Sequence, residues 1–175
     1  MKILHLLRHA KSSWDDPDQD DHDRPLAPRG ARAARLMGRH LRARGFRPAS
    51  ILCSTARRAV DTLGIVLSQL DEAAPSVPPV LYERGLYLAG DRILLERLRR
   101  MDDAAGDVLL VGHNPDIQNL ALALAGHGDR EVLARIAAKY PTAGFATLTF
   151  DAAHWRDVAP GQGTLVEFVV PKNLT

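Results

Sequence analysis

The chain has 175 residues, of which 46% are hydrophobic and 25% charged, with a formal net charge of +2. That length and apolar share fit one globular domain over 1–175 with a core of its own, and exclude a disordered or fibrous chain. No apolar run is long enough to span a membrane, the N-terminus is apolar too briefly before Arg8 to be a signal peptide, and Cys53 is the only cysteine; a cytoplasmic protein without an internal disulfide is expected.

Only Lys2, Lys11, Lys139 and Lys172 among the 23 basic residues are lysines. The arginine excess fits anionic ligands, or simply a GC-rich coding sequence. The chain opens on a short apolar run, Ile3, Leu4, Leu6 and Leu7, that reads as a buried strand and stops at Arg8 and His9. In open α/β sheets, ligands bind in the crevice at the carboxyl ends of the strands. An arginine beside a histidine there suits an anion, because guanidinium offers a planar fork of donors and imidazole can attack or carry protons.

The acidic, proline-containing stretch from Trp14 to Pro28 reads as a loop. Pro28 to Gly45 reads as an amphipathic helix with Ala34, Met37 and Leu41 inward, and Arg32, Arg35, Arg39 and Arg42 on the opposite, solvated face. A second strand is expected over Ala49 to Cys53. A helix follows, with Ser54 or Thr55 as N-cap and Ala56, Val60, Leu63, Leu67 and Leu70 on its inner face. Arg57 and Arg58 fall in its first turn, where backbone N–H groups already favour an anion. A cysteine-phosphatase loop would need arginine at position 59, which is Ala59, so Cys53 reads as a packed strand residue.

Leu70 to Pro79 reads as a linker, Val80 to Tyr82 as a third strand ending at Glu83, and Asp91 to Met101 as a helix packing Leu94, Leu98 and Met101. Asp107 to Val111 is a continuous apolar strand closing with Gly112, His113, Asn114 and Pro115. Such strands between helices mark a parallel sheet buried on both faces. A helix carrying Ile117, Leu120, Ala121 and Leu124 comes next, then another over Arg130 to Lys139. Two strands, Phe145 to Phe150 and Thr164 to Val169, alternate better and suggest an antiparallel edge pair.

Three strands thus end at Arg8-His9, at Ser54 to Arg58, and at Gly112-His113-Asn114. If they are parallel neighbours, Arg8, His9, Arg58 and His113 meet in one small volume. Two guanidiniums and two imidazoles there repel one another unless an anion sits between them, and a phosphoryl group fits. There is no Walker A motif, no GxGxxG and no carboxylate cluster spaced for a metal. No metal or cofactor is expected.

These segments resemble the histidine phosphatase superfamily. LLRHAKS is similar to that family's RHG signature, with Ala10 in place of glycine. STARRAVDT resembles the second phosphate-pocket segment, with Arg58, Ala59 and Thr62. YERG places Glu83 near where relatives often carry an acidic proton donor, and VGHNP matches the segment bearing the second histidine, His113. With no long insertion between the motifs, the chain resembles the small phosphohistidine phosphatase branch. The resemblance implies a three-layer α/β/α fold with a mostly parallel sheet and an antiparallel edge, as in phosphoglycerate mutase. It implies that His9 is the nucleophile, that Arg8, Arg58 and His113 clamp the phosphoryl group, and that Glu83 is the acid. Ser12 and Asn114 are secondary pocket candidates.

With so little inserted between the motifs, the pocket should be shallow, with the acidic Asp15 to Asp23 loop as one wall. A phosphohistidine projecting from a protein is then the expected substrate, and a monomer the expected state. A small-molecule phosphomonoesterase of the same fold is the alternative, and a non-catalytic phospho-ligand module a further one. A nucleic-acid-binding role for the Arg stripe is disfavoured by an aromatic content of 5%.

Overall fold

The computed structural model describes residues 1–70 and 76–175. Positions 71–75 of the expected linker lie outside the described residues. In chain order the elements are β1 (Lys2–Arg8), α1 (Pro28–Ala43), β2 (Ser50–Ser54), α2 (Arg57–Gln69), β3 (Val80–Glu83), α3 (Asp91–Leu98), β4 (Asp107–Gly112), α4 (Asp116–Leu124), β5 (Ala125–His127), α5 (Arg130–Ala138), β6 (Phe145–Phe150) and β7 (Gly163–Val169). The strands form one sheet in the order β3-β2-β4-β1-β6-β7-β5. Strands β1 to β4 run parallel, β6 is antiparallel to both β1 and β7, and β5 pairs parallel with β7. This is the expected three-layer architecture.

Side chains alternate across a strand, so a continuous apolar run feeds two cores at once. Leu4, Leu6, Leu52, Val108 and Leu110 pack with Leu94 and Leu98 of α3, Leu120 and Leu124 of α4, and Ile136 of α5. Leu7, Ile51, Cys53, Leu109 and Val111 pack with Met37 and Leu41 of α1 and Leu63 and Val66 of α2. Burial on both faces is why these strands tolerate no polar alternation. Cys53 is a fully buried core residue, its thiol pushed up to about 12 by desolvation.

The topology decides what meets at the carboxyl edge. β4 lies between β1 and β2, with Arg8 level with Gly112 and Cys53 level with Val111. The segments after β1 and β4 are therefore direct neighbours, and α2 delivers its first turn from the far side of β4.

Some expectations change. α2 begins at Arg57 with Ala56 as N-cap and no side-chain cap, so neither Ser54 nor Thr55 caps it. Its buried face is Arg58, Ala59, Thr62, Leu63 and Val66, while Val60, Leu67 and Leu70 are only partly buried. The helix is rotated because its first turns bury polar residues belonging to the site, which an apolar pattern does not register. Strand β5 was not expected. Its Ala-Gly-His sequence has no strand pattern, and Gly126 is needed because a Cβ there would collide with the Gly161 carbonyl.

Candidate active site

His9 sits just past β1, where its own backbone is fixed from three sides. Its N–H donates to the Gly112 carbonyl at 3.0 Å, and the N–H of Ala10 donates to Thr62 Oγ1 at 2.9 Å. The N–H of Ala143 donates to the carbonyls of both Arg8 and His9, at 3.0 and 3.1 Å. Ala143 adopts φ 59°, a left-handed conformation that costs a non-glycine residue about 1 kcal/mol and persists only where the surroundings impose it. Thr62, one turn along α2 from Arg58, also donates to the Arg58 carbonyl at 2.6 Å. One hydroxyl thus ties the His9 segment to the helix that carries Arg58.

The ring geometry assigns the protons. His9 Nδ1 faces the Ala10 carbonyl at 2.7 Å, and a carbonyl only accepts, so Nδ1 carries the hydrogen. Nε2 therefore presents a lone pair. Burial, with the charges of Arg58, Arg8 and Arg24, lowers the His9 pKa to about 4, so the ring is neutral at pH 7. The His113 ring lies 5.2 Å from that of His9. Its pKa falls to about 3 through burial and the nearby His9 and Arg58.

His113 Nε2 lies 2.8 Å from Ser54 Oγ, which also accepts the N–H of Ala56 at 3.2 Å. The serine hydrogen is then free to go to His113 Nε2, which leaves the other hydrogen on His113 Nδ1. That nitrogen is buried and has no hydrogen-bond partner among the described residues, and the same holds for Arg8 Nε and Arg58 Nε. Unpaired buried donors are costly, typically 1–3 kcal/mol each. Three of them at the convergence of Arg8, His9, Arg58 and His113 describe a cradle for an anion.

The rest of the arginine geometry is organised by residues that local pattern did not single out. Arg58 donates to the Asp21 carbonyl at 2.7 Å and to Asp21 Oδ2 at 3.0 Å. Asp21 Oδ1 accepts from Arg24 Nε at 3.1 Å, and Tyr87 OH donates to Oδ2. Although desolvation opposes ionisation, the bonds from Tyr87, Arg58 and Arg24 outweigh it and hold the Asp21 carboxyl at about 2. Arg24 is buried, stacks 3.5 Å over the Trp14 ring and donates to Ser12 Oγ at 2.9 Å. The Tyr87 ring stands edge-on to His113, with centroids 5.4 Å apart. Within the 14–28 loop, Asp21 and Arg24 thus work as one wall of the site.

Of the residues singled out in the sequence, Arg8, His9, Arg58 and His113 are together. Arg8 donates to the Tyr140 carbonyl at 2.7 Å, and Asn114 Nδ2 reaches the same carbonyl at 3.3 Å while its Oδ1 accepts from the Gln118 N–H. Asn114 therefore braces Arg8 and the start of α4. Ser12 acts through Arg24. Glu83 is turned elsewhere: both its carboxylate oxygens are held by Arg97, Nε at 2.7 Å and 3.1 Å and Nη2 at 2.9 Å. No hydrogen bond among the described residues joins it to His9 or His113. Arg57, beside Arg58, is exposed and paired with Asp61. Arg24 and Tyr87 carry no spacing signal, while Asp21 lies in the acidic loop expected as one wall and Ser54 at an expected strand end, their side-chain partners being set by contacts that no local pattern shows.

Residues 4–87 match the model of the histidine phosphatase superfamily (branch 1). An uncharacterized protein of Mycobacterium tuberculosis is 43% identical over 95% of this chain and 100% of its own length. Among solved structures, the SixA protein of Agrobacterium tumefaciens is 27% identical and superposes with a TM-score of 0.80, covering 97% of this chain and 98% of that one. The protein histidine phosphatase SixA solved with tungstate gives 25% identity and a TM-score of 0.74, over 98% of each chain. By its motifs, its topology and these likenesses, the chain belongs to the histidine phosphatase superfamily and resembles the SixA branch.

Proposed function

We propose that the chain is a phosphatase that hydrolyses phosphohistidine on a protein through a phosphohistidine intermediate of its own. His9 Nε2 attacks phosphorus in line, forming the N–P bond as the substrate's N–P bond breaks. Arg8, Arg58 and His113 Nδ1–H stabilise the charge on the transferred group. Water then attacks phosphorus, gives up a proton to phosphate or solvent, and His9 departs as a neutral ring that keeps its Nδ1 hydrogen.

The observation that carries the substrate class is the bonding of two carboxylates, the expected acid Glu83 and the site's Asp21. Glu83 is clasped by Arg97, and Asp21 is held ionised by Arg58, Arg24 and Tyr87. Asp21 has no proton ready for a leaving group, and Glu83, bonded to Arg97, has no hydrogen bond to His9 or His113 among the described residues. An alkoxide leaving from a phosphate ester needs such a proton. A phosphorylated imidazole does not, because its second nitrogen takes a proton from water and the ring leaves neutral. Tungstate in the SixA relative is an oxyanion of phosphate shape, in keeping with an anion at the convergence of the two arginines and two histidines.

A panel of phosphohistidine protein, aryl phosphate, sugar phosphates and nucleotides tests this reading. Phosphohistidine is expected to lead by at least about tenfold in kcat/KM, and Glu83→Gln to leave its turnover within about threefold. A sugar phosphate hydrolysed faster than phosphohistidine, with turnover lost in Glu83→Gln, would replace this reading with a small-molecule phosphomonoesterase.

A further inference from the structure

Beside the phosphoryl site the structure has a cavity of about 490 Å³ lined by Arg8, Lys11, Arg29, Lys139 and Lys172, with Pro141 and Pro171 among the residues that complete its walls. No carboxylate lines it, and none of Lys11, Arg29, Lys139 or Lys172 makes an ion pair among the described residues. The chain as a whole is close to neutral, so such a gathering of one sign is local. Three of the four lysines in the protein are here, although arginine is chosen almost everywhere else. Lys11, Lys139 and Lys172 come from the turn after β1, the end of α5 and the C-terminal segment, so no periodic surface pattern accounts for the cluster. Arg29 stands in the first turn of α1, which contains no acidic residue. A cation there works against the helix dipole. The volume lies within the range of small-ligand sites.

Arg8 belongs to both places. It faces this cavity and is also part of the cradle with His9, Arg58 and His113. A group bound in the cavity is therefore next to the transferred phosphoryl group. We propose that the cavity is a second anion subsite, holding a carboxylate or phosphate carried by the same substrate as the phosphoryl group. The substrate would then carry two anionic groups rather than one. This deepens the phosphatase reading and rests on it for the identity of the first group. In a phosphohistidine protein the second group is an Asp or Glu close to the phosphorylated ring. In a small molecule it is a second phosphate.

The test compares wild type with Lys139→Ala/Lys172→Ala on four substrates: a phosphohistidine peptide flanked by Asp and Glu, the same peptide with Asn and Gln, a sugar bisphosphate and an aryl monophosphate. Loss of two exposed pairing partners is expected to lower kcat/KM about tenfold for a two-anion substrate relative to the aryl phosphate. Lys139→Arg/Lys172→Arg should restore it. A selective loss on the acidic peptide assigns the second group to a protein carboxylate, and a selective loss on the bisphosphate assigns it to a small molecule. An unchanged ratio for both overturns the subsite. If wild type turns over none of the four, the phosphatase reading fails on its own, and pyrophosphate binding by titration calorimetry then judges the cavity. Affinity lost in the double Ala variant keeps the subsite, and equal affinity ends it.

Discussion

Ser54 Oγ and His113 Nε2 lie 2.8 Å apart, and that contact decides which nitrogen of His113 faces the ligand as a donor. Ser54 is fully buried at the end of β2 and takes the Ala56 N–H on its other side, so its own hydrogen has one direction to go. Ser54→Ala removes the control without emptying much volume. The expected result is a fall of about 10- to 100-fold in kcat, somewhat less than the loss of a direct transition-state donor. Ring nitrogen shifts should report the Nδ1–H form of His113 in wild type and a mixture in the variant. A full Nδ1–H signal with unchanged kcat in the variant would remove Ser54 from the account.

Among the described residues, Asp21 is the one carboxylate bonded to an arginine of the proposed phosphoryl clamp, and its charge opposes any anion entering there. Asp21→Asn keeps a side-chain oxygen and the backbone carbonyl for Arg58 while removing that charge. Inhibition by inorganic phosphate should tighten about three- to tenfold, since a charge near the surface is worth on the order of 1 kcal/mol to a neighbour. Weaker phosphate inhibition would mean that the charge of Asp21 matters mainly for placing Arg58.

Arg57 and Arg58 are adjacent in sequence but point about 100° apart on α2. Arg58 is buried and bonded to Asp21, whereas Arg57 is exposed and paired with Asp61. Arg58→Ala should cost roughly 10²- to 10³-fold in kcat/KM, the usual loss for one preorganised donor. Arg57→Ala should cost less than about threefold. Equal losses measured on purified, folded variants would contradict the clamp.

The pH dependence follows from the two lowered histidines. His9 at about 4 and His113 at about 3 are both neutral through the physiological range. The acid limb of kcat/KM should therefore fall near pH 4 rather than near 6.5. Stability has the opposite dependence to that of a salt-bridged histidine. Each ring binds fewer protons folded than unfolded, so stability is lost as pH falls below the unfolded value of about 6.5, and the loss is complete below the folded values. Denaturation midpoints measured from pH 7 to 4 should decline, less steeply in His113→Asn. An acid limb in kcat/KM near 6.5 would show His9 to be far less desolvated than this site makes it.

The sequence carried the sheet well because β1, β2 and β4 are buried on both faces, and an unbroken apolar run such as Asp107 to Val111 has little else to be. It placed Arg8, His9, Arg58 and His113 together because each ends a strand, follows directly on one or opens a helix, places that topology brings together. The rotation of α2 was hidden because Arg58 and Thr62, both polar, occupy positions that an apolar pattern assigns outward. The bonds of Asp21 to Arg58 and Tyr87 were hidden because they join a loop to segments more than 30 residues away, and those of Arg24 to Asp21, Ser12 and Trp14 because an irregular loop has no period to read. Glu83 was placed at the right strand end, but nothing in YERG announces that Arg97, a helix away, takes both its oxygens.

Trapping the phosphoenzyme tests the central claim most directly. Wild type is mixed briefly with a labelled phosphohistidine protein, quenched in base, digested and mapped by mass spectrometry, alongside His9→Ala. The account predicts an acid-labile, base-stable phosphate on His9 in wild type, with turnover in His9→Ala reduced by about 10⁴-fold or more, as loss of a nucleophile usually gives. Label on His113 or any other residue, or near-normal turnover in His9→Ala, would contradict it.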